Sequence, residues 1–136
     1  MCDRRIGDTH GQFFDFMHLL SLTGKPSETH TLLFNGDFVD RGSWSTEIVI
    51  VLFAFKCTSI SLPAPHRGEE RGLTKYAGLY PRKIFLNRGN HETADMNKVY
   101  GFEGETKKKY SELTYKLFEE VFTARSSSSL TLLVLY

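Results

Sequence analysis

Thr31-Leu32-Leu33-Phe34-Asn35-Gly36-Asp37-Phe38-Val39-Asp40-Arg41-Gly42-Ser43 decides how this chain is read. A short apolar run breaks into a glycine-bounded loop carrying two carboxylates and an arginine, and a helical pattern follows. That order describes a buried strand whose carboxyl end opens into a polar loop. Two other stretches share the plan: Gly7-Asp8-Thr9-His10-Gly11, and Arg88-Gly89-Asn90-His91-Glu92 after Ile84-Phe85-Leu86. Before the first there is only Arg4-Arg5-Ile6, too little for a full strand, so that edge of the sheet is expected to be cut. Repeated strand, loop and helix predicts an α/β sheet with all three loops on one rim.

The intervening segments supply the helices. Phe13, Phe16, Met17, Leu19 and Leu20 recur at helical spacing to about Leu22, and Gly24-Lys25-Pro26 stops them. Ser45 is positioned to cap a second helix whose body, Ile48 to Phe55, is apolar almost all round and should pack on more than one side. Met96, Val99 and Tyr100 predict a short helix. Tyr110, Leu113, Leu117, Phe118 and Val121 predict one long helix from about Glu105 to Phe122, with Lys107, Lys108, Lys109, Glu112, Lys116 and Glu119 on a solvated face.

The 136 residues make one domain, and 17 basic against 16 acidic side chains leave a net charge of +1, which argues against capture of nucleic acid by bulk charge. The longest apolar run has eight residues, Ile48 to Phe55, against the ~20 needed to span a bilayer. Neither nucleic acid nor membrane is therefore expected as a partner. Cys2 and Cys57 show no disulfide or CxxC spacing, which favours a reducing, intracellular compartment, and Cys57 is most simply a small buried hydrophobe.

Asp8, His10, Asp37 and Asn90 offer the carboxylate, imidazole and amide donors that hard divalent or trivalent cations take. The single-residue gap in Asp8-Thr9-His10 lets both side chains point the same way, and a carboxylate such as Asp37 can bridge two ions ~3.5–4 Å apart. Arg41 presents a planar fork for phosphate, while His91 with Asp40 makes an acid pair in which the carboxylate orients the imidazole. Any one cluster alone reads as readily as an ordinary turn, and His18, His30 and His66 have no ligand-like neighbours. Three clusters at successive strand ends are better explained by one site.

Taken together as GDTHG, GDFVDRG and RGNHE, the clusters closely resemble the phosphoprotein phosphatase family of metal-dependent serine/threonine phosphatases. The stretches 7–56 and 79–124 look most like the catalytic domain of its type 5 branch, notably in Asn35 to Ser43 and Tyr100-Gly101-Phe102-Glu103-Gly104-Glu105. The resemblance implies a calcineurin-like metallophosphoesterase fold, a β-sandwich flanked by helices in the α/β (α+β) class. It implies two metal ions, manganese or iron with zinc: Asp8, His10 and Asp37 on the first, Asp37 and Asn90 on the second. His91 becomes the leaving-group acid, Asp40 its carboxylate partner, and Arg41 a phosphate-binding arginine. Phosphoproteins are the implied substrates, in the cytoplasm, the nucleus or both.

Departures from the pattern are equally specific. The family's second metal takes two further histidines, and no histidine follows His91 here. Residues 58–78, rich in proline and charge, interrupt what is normally a direct join, and the serine-rich run and apolar end of residues 125–136 replace a core strand. The expectation is thus a partial catalytic domain over residues 1–124, holding the amino-terminal half of the fold, with an atypical insertion at about 58–78 and an atypical tail. Such a chain would fold poorly, be inactive alone and associate through uncovered edges. Type 5 members also carry a chaperone-docking helical-repeat domain, and no repeat of ~34 residues occurs in this chain. A broader metallophosphoesterase acting on nucleotides or phosphodiesters is the remaining alternative, disfavoured by the Val39 to Gly42 continuation.

Overall fold

The computed structural model describes residues 2–24, 26, 29–57 and 83–123. The proposed insertion at 58–78 and tail at 125–136 lie outside the described residues, as does the side chain of Cys57. Three strands, β1 (Cys2–Ile6), β2 (His30–Phe34) and β3 (Ile84–Leu86), form one parallel sheet in the order β1-β2-β3. Among the described residues five helices accompany it: α1 (Phe13–Thr23), α2 (Ser45–Cys57), α3 (Ala94–Tyr100), α4 (Phe102–Lys109) and α5 (Glu112–Thr123). The fold is α/β, and a second sheet of the implied sandwich is not found among the described residues. No helix among them is long and apolar enough to cross a membrane.

Register explains the core. Ile6 pairs with Phe34, Leu32 with Ile84 and Phe34 with Leu86. Residues paired in a parallel ladder share a face, so these five stack as one buried layer. Phe16 of α1 lies over Phe34 with ring centroids 6.0 Å apart, and Ile48, Val49 and Leu52 of α2 are fully buried in the same cluster. Leu32 and Phe34 are buried on that face, while on the other Thr31 is buried and Leu33 half-buried, so β2 is covered on both sides and reads as an apolar run rather than an alternating one.

Three sequence expectations are corrected. Arg4-Arg5-Ile6 does belong to a strand, because Cys2 and Asp3 extend the ladder beside β2, from Cys2 opposite His30 to Ile6 opposite Phe34. The long helix expected over 105–122 is two helices, separated at Tyr110 and Ser111. Ser111 Oγ accepts the Thr114 N–H at 3.1 Å and so opens α5 afresh, a local hydrogen bond that competes with helix continuation. Ser45 does not cap α2. The Glu105 carboxylate of α4 does so from across the fold, accepting the N–H groups of Ser45 at 3.2 Å and Thr46 at 2.9 Å. In α1, which forms as expected, Phe16 is buried and Met17 exposed.

As expected, α2 packs on several sides, against α1, β3 and α4, with Ile50 its large exposed apolar residue. Beneath α4 and α5 lies an aromatic cluster in which Phe102 is 5.6 Å from Phe118 and 5.8 Å from Phe122, measured between ring centroids.

Candidate active site

All three polar loops leave the carboxyl ends of the parallel strands, and β2 is central, so its loop can touch both others. The backbone shows that it does. Asp37 O accepts the N–H groups of Thr9 and His10, both at 3.0 Å, and Phe38 O accepts that of Gly11 at 3.0 Å. On the other side the Asp37 carboxylate accepts the His91 N–H at 2.9 Å. The loop after the middle strand thus touches both of its neighbours, with the Asp37 side chain beside Asp8 and His10 on one side and the His91 backbone on the other.

The loops meet more closely than side chains normally permit. A Cβ on Gly89 would fall 2.5 Å from the Asp37 nitrogen, and one on Gly36 would fall 2.2 Å from the Gly89 nitrogen. Glycine at both positions is what lets the second and third loops touch. The crossing is locked by Glu92, fully buried, whose carboxylate accepts the N–H groups of Asp37 and Phe38 at 2.8 Å and of Gly89 at 2.7 Å. Burial pushes the Glu92 carboxyl above its ordinary value, and these three backbone donors pull against that shift. Sequence reasoning left Glu92 without a role, although an acidic residue in an otherwise turn-like cluster was the available signal.

Four non-glycine residues have positive φ among the described residues: His10, Asp37, Asp40 and Arg41, at 37°, 53°, 70° and 66°. Each is a candidate site residue. Left-handed backbone disfavours L side chains and persists only where the surroundings impose it, which here means the interlocked loops just described.

Asp8, His10 and Asp37 are brought together, each offering a ligand atom within 4.8 Å of the others. His10 Nδ1 donates to Val39 O at 2.9 Å, which fixes the ring and leaves Nε2 as the lone-pair nitrogen, 3.8 Å from Asp8 Oδ2. A ligating imidazole usually has its other nitrogen anchored in this way, so the donor set and its outer support both fit a metal ion. Asn90 lies exposed on the neighbouring loop, between Gly89, packed against the Asp37 carboxylate, and His91, which donates to it.

Beside this group sits the acid pair. His91 Nδ1 donates to Asp40 Oδ2 at 2.9 Å, with side-chain exposures of 3% and 0%. Because a carboxylate only accepts, Nδ1 carries a proton, and Nε2 is turned away from the pair toward the Arg41 guanidinium, from which it accepts. Arg41 Nη2 is 3.4 Å from His91 Nε2, and the His10 and His91 rings meet edge to face at 4.6 Å. The Asp8, His10 and Asp37 group, the His91 imidazole and the Arg41 guanidinium therefore lie together on one rim. Besides Glu92, two contributors escaped the sequence reading. Asn97 reaches Asp40 from α3, and Tyr100 lies edge-on to the His91 ring at 5.1 Å.

This arrangement, three metal-type ligands at parallel strand ends beside a buried Asp–His pair and an arginine, is that of a metal-dependent phosphoesterase. The calcineurin-like phosphoesterase pattern matches residues 6–134, and the chain belongs to that family. Within it, the chain is 56% identical over 118 residues to serine/threonine-protein phosphatase T of Aspergillus oryzae, covering 87% of this chain and 20% of that protein. Human serine/threonine-protein phosphatase 5 is 49% identical over 116 residues, which are 85% of this chain and 19% of that protein. A solved Saccharomyces cerevisiae protein serine/threonine phosphatase with similarity to human PP5 superposes with a TM-score of 0.71 at 43% identity, covering 88% of this chain and 31% of that one. The chain thus spans about a fifth of the length of these curated relatives.

Proposed function

We propose that this chain carries the catalytic rim of a serine/threonine protein phosphatase, hydrolysing phosphoserine and phosphothreonine monoesters in proteins. The observation that carries the reading is the buried Asp40–His91 pair set directly against the Asp8, His10 and Asp37 group. Asp8, His10 and Asp37 would hold one metal ion, and Asp37 with Asn90 would serve a second, manganese or iron with zinc. When bound, such ions neutralise phosphate charge and acidify water at neutral pH. Arg41 binds phosphate oxygens through its fork. His91, supported by Asp40, gives the proton at Nε2 to the departing serine or threonine oxygen, a step that alkyl leaving groups need.

With only Asp37 and Asn90 for the second ion, paired-metal binding by this chain alone should be weak. Function in the cytoplasm or nucleus, on phosphoproteins and not on nucleic acid or membranes, accords with this reading. The test is manganese-dependent hydrolysis of a phosphopeptide by the purified chain. Loss in His91→Ala and in Asp37→Ala, by about a hundredfold or more, is the expected result. Equal activity in both variants would overturn the assignment, and faster turnover of cyclic nucleotides than phosphopeptides would move it to a broader phosphoesterase.

A second reading has its own support. Phe14, Leu22, Val99, Leu113 and Leu117 are more than half exposed and offer apolar side chains to a partner. An inactive partial domain that associates with other protein through these faces would show no hydrolysis and would sediment as a complex or an oligomer.

A further inference from the structure

The Asp40 carboxylate is completely buried, and the groups that hold it come from elements distant in sequence. Oδ2 accepts His91 Nδ1 at 2.9 Å and Asn97 Nδ2 at 3.2 Å, while Oδ1 accepts the Phe102 N–H at 3.0 Å. The second hydrogen of the Asn97 amide goes to His91 O at 2.7 Å. Both of its partners accept only, so the amide nitrogen, and not its oxygen, faces them. Asn97 itself is 1% exposed and sits in the middle of α3.

We propose that Asn97 is a positioning residue for the acid pair: one amide fixes the Asp40 carboxylate and the His91 backbone together, so that the ring presents Nε2 to the leaving group. The inference deepens the phosphatase reading and rests on it for its kinetic half. Without the amide, Asp40 Oδ2 keeps His91 as its remaining described partner, and the carboxylate can turn about its own axis. The His91 carbonyl, buried with its residue, would also lose a donor. Either change tilts the imidazole, and an acid misplaced by a fraction of an ångström transfers its proton poorly. Gly101, with φ of 111°, turns the chain directly after α3 and brings the Phe102 N–H back to the other oxygen, so α3 and α4 enclose the carboxylate from two sides.

The experiment uses the whole 136-residue chain with manganese. Asn97→Leu keeps the volume and removes both hydrogen bonds. Its kcat should fall about tenfold further on a phosphoserine peptide than on p-nitrophenyl phosphate, whose good leaving group needs little protonation, with KM little changed. A merely structural role would lower both rates by one factor, through the amount of folded protein. In parallel, the His91 Nδ1 proton is followed by ¹⁵N-correlated NMR, and in Asn97→Leu it should shift and exchange faster with water.

Equal loss on both substrates, or an unmoved His91 signal in the folded variant, overturns the proposal. Should the leucine variant fail to fold, Asn97→Ser is measured in the same two ways and judged by the same outcomes. If the wild-type chain hydrolyses neither substrate, it is the phosphatase reading that falls. The His91 spectrum then decides the positioning role alone.

Discussion

The rim of loops and the outer layer formed by α4 and α5 both carry many charged groups, yet they use them oppositely. At the rim, Asp40 and Glu92 are wholly buried; Asp40 is held by three donors distant in sequence, and Glu92 by two such donors and one, Gly89, from its own loop. On α4 the lysines form ion pairs near water: Lys107 with Glu103 at 2.6 Å and Glu112 at 2.8 Å, and Lys109 with Glu47 at 2.8 Å. Such exposed pairs are screened and weak, whereas a buried charge left without its donors is costly. Dense charge at the rim therefore specifies geometry, and dense charge on α4 chiefly covers an aromatic core. The correction to the sequence reading is Lys109, which is not simply solvated; it donates to Ser43 O at 2.6 Å and lies 4.5 Å over the Trp44 ring, tying α4 to the start of α2.

Three substitutions sharpen or break this contrast. Gly89→Ala should have the largest effect, because its methyl group would meet Asp37 backbone and carboxylate atoms at 2.2–2.7 Å. A destabilisation of about 3 kcal/mol or more is expected from such overpacking, read as a lower urea midpoint. A well-folded variant of unchanged midpoint would show that the loops are not interlocked.

Tyr115→Phe, in the outer layer, should be tolerated or mildly stabilising, by about 1 kcal/mol at most, since the buried hydroxyl has no hydrogen-bond partner among the described residues. It should also remove a pH dependence. Burial, helped by the Glu103 and Glu119 charges, pushes the Tyr115 hydroxyl up from 10.0 to about 12. The unfolded chain thus releases this proton first, so the stability it carries is whole below pH 10 and drains away as pH rises to 12. Thermal melts across that window should fall more steeply for the native chain than for the phenylalanine variant, and parallel curves would refute the assignment. Smallest of all, Lys107→Ala should leave the melting temperature unchanged within error despite its two ion pairs. A clear drop would mean that the α4 charges specify structure as the rim does.

Much of the rim was legible in the sequence because glycine, carboxylate and histidine recur there at short spacing, and parallel strand ends force such loops together. Asp8, His10, Asp37, Asp40, Arg41 and His91 needed no long-range knowledge to be named. Asn97 and Glu92 did, since their partners lie up to 57 residues away and a buried amide in a helix looks like any other polar helical residue. The break at Tyr110 and Ser111 was hidden for a related reason. Apolar residues on both sides keep nearly one helical phase, and only the side-chain hydrogen bond of Ser111 reveals a second start. The cap on α2 was misassigned because Ser45 is the local candidate, whereas Glu105 wins from 60 residues away. Local chemistry predicts elements well, but it cannot weigh a competitor that only the fold delivers.

The enclosure of Asp40 also has a temporal side. Its three donors stand 51, 57 and 62 residues further along the chain. Contacts of such separation bear the full entropy of loop closure before they return anything, so they form after the local helices and the first strand pairing. The acid pair is accordingly a product of the closed fold: its carboxylate is fully satisfied only when chain reaching to Phe102 has been brought back onto the β2 loop.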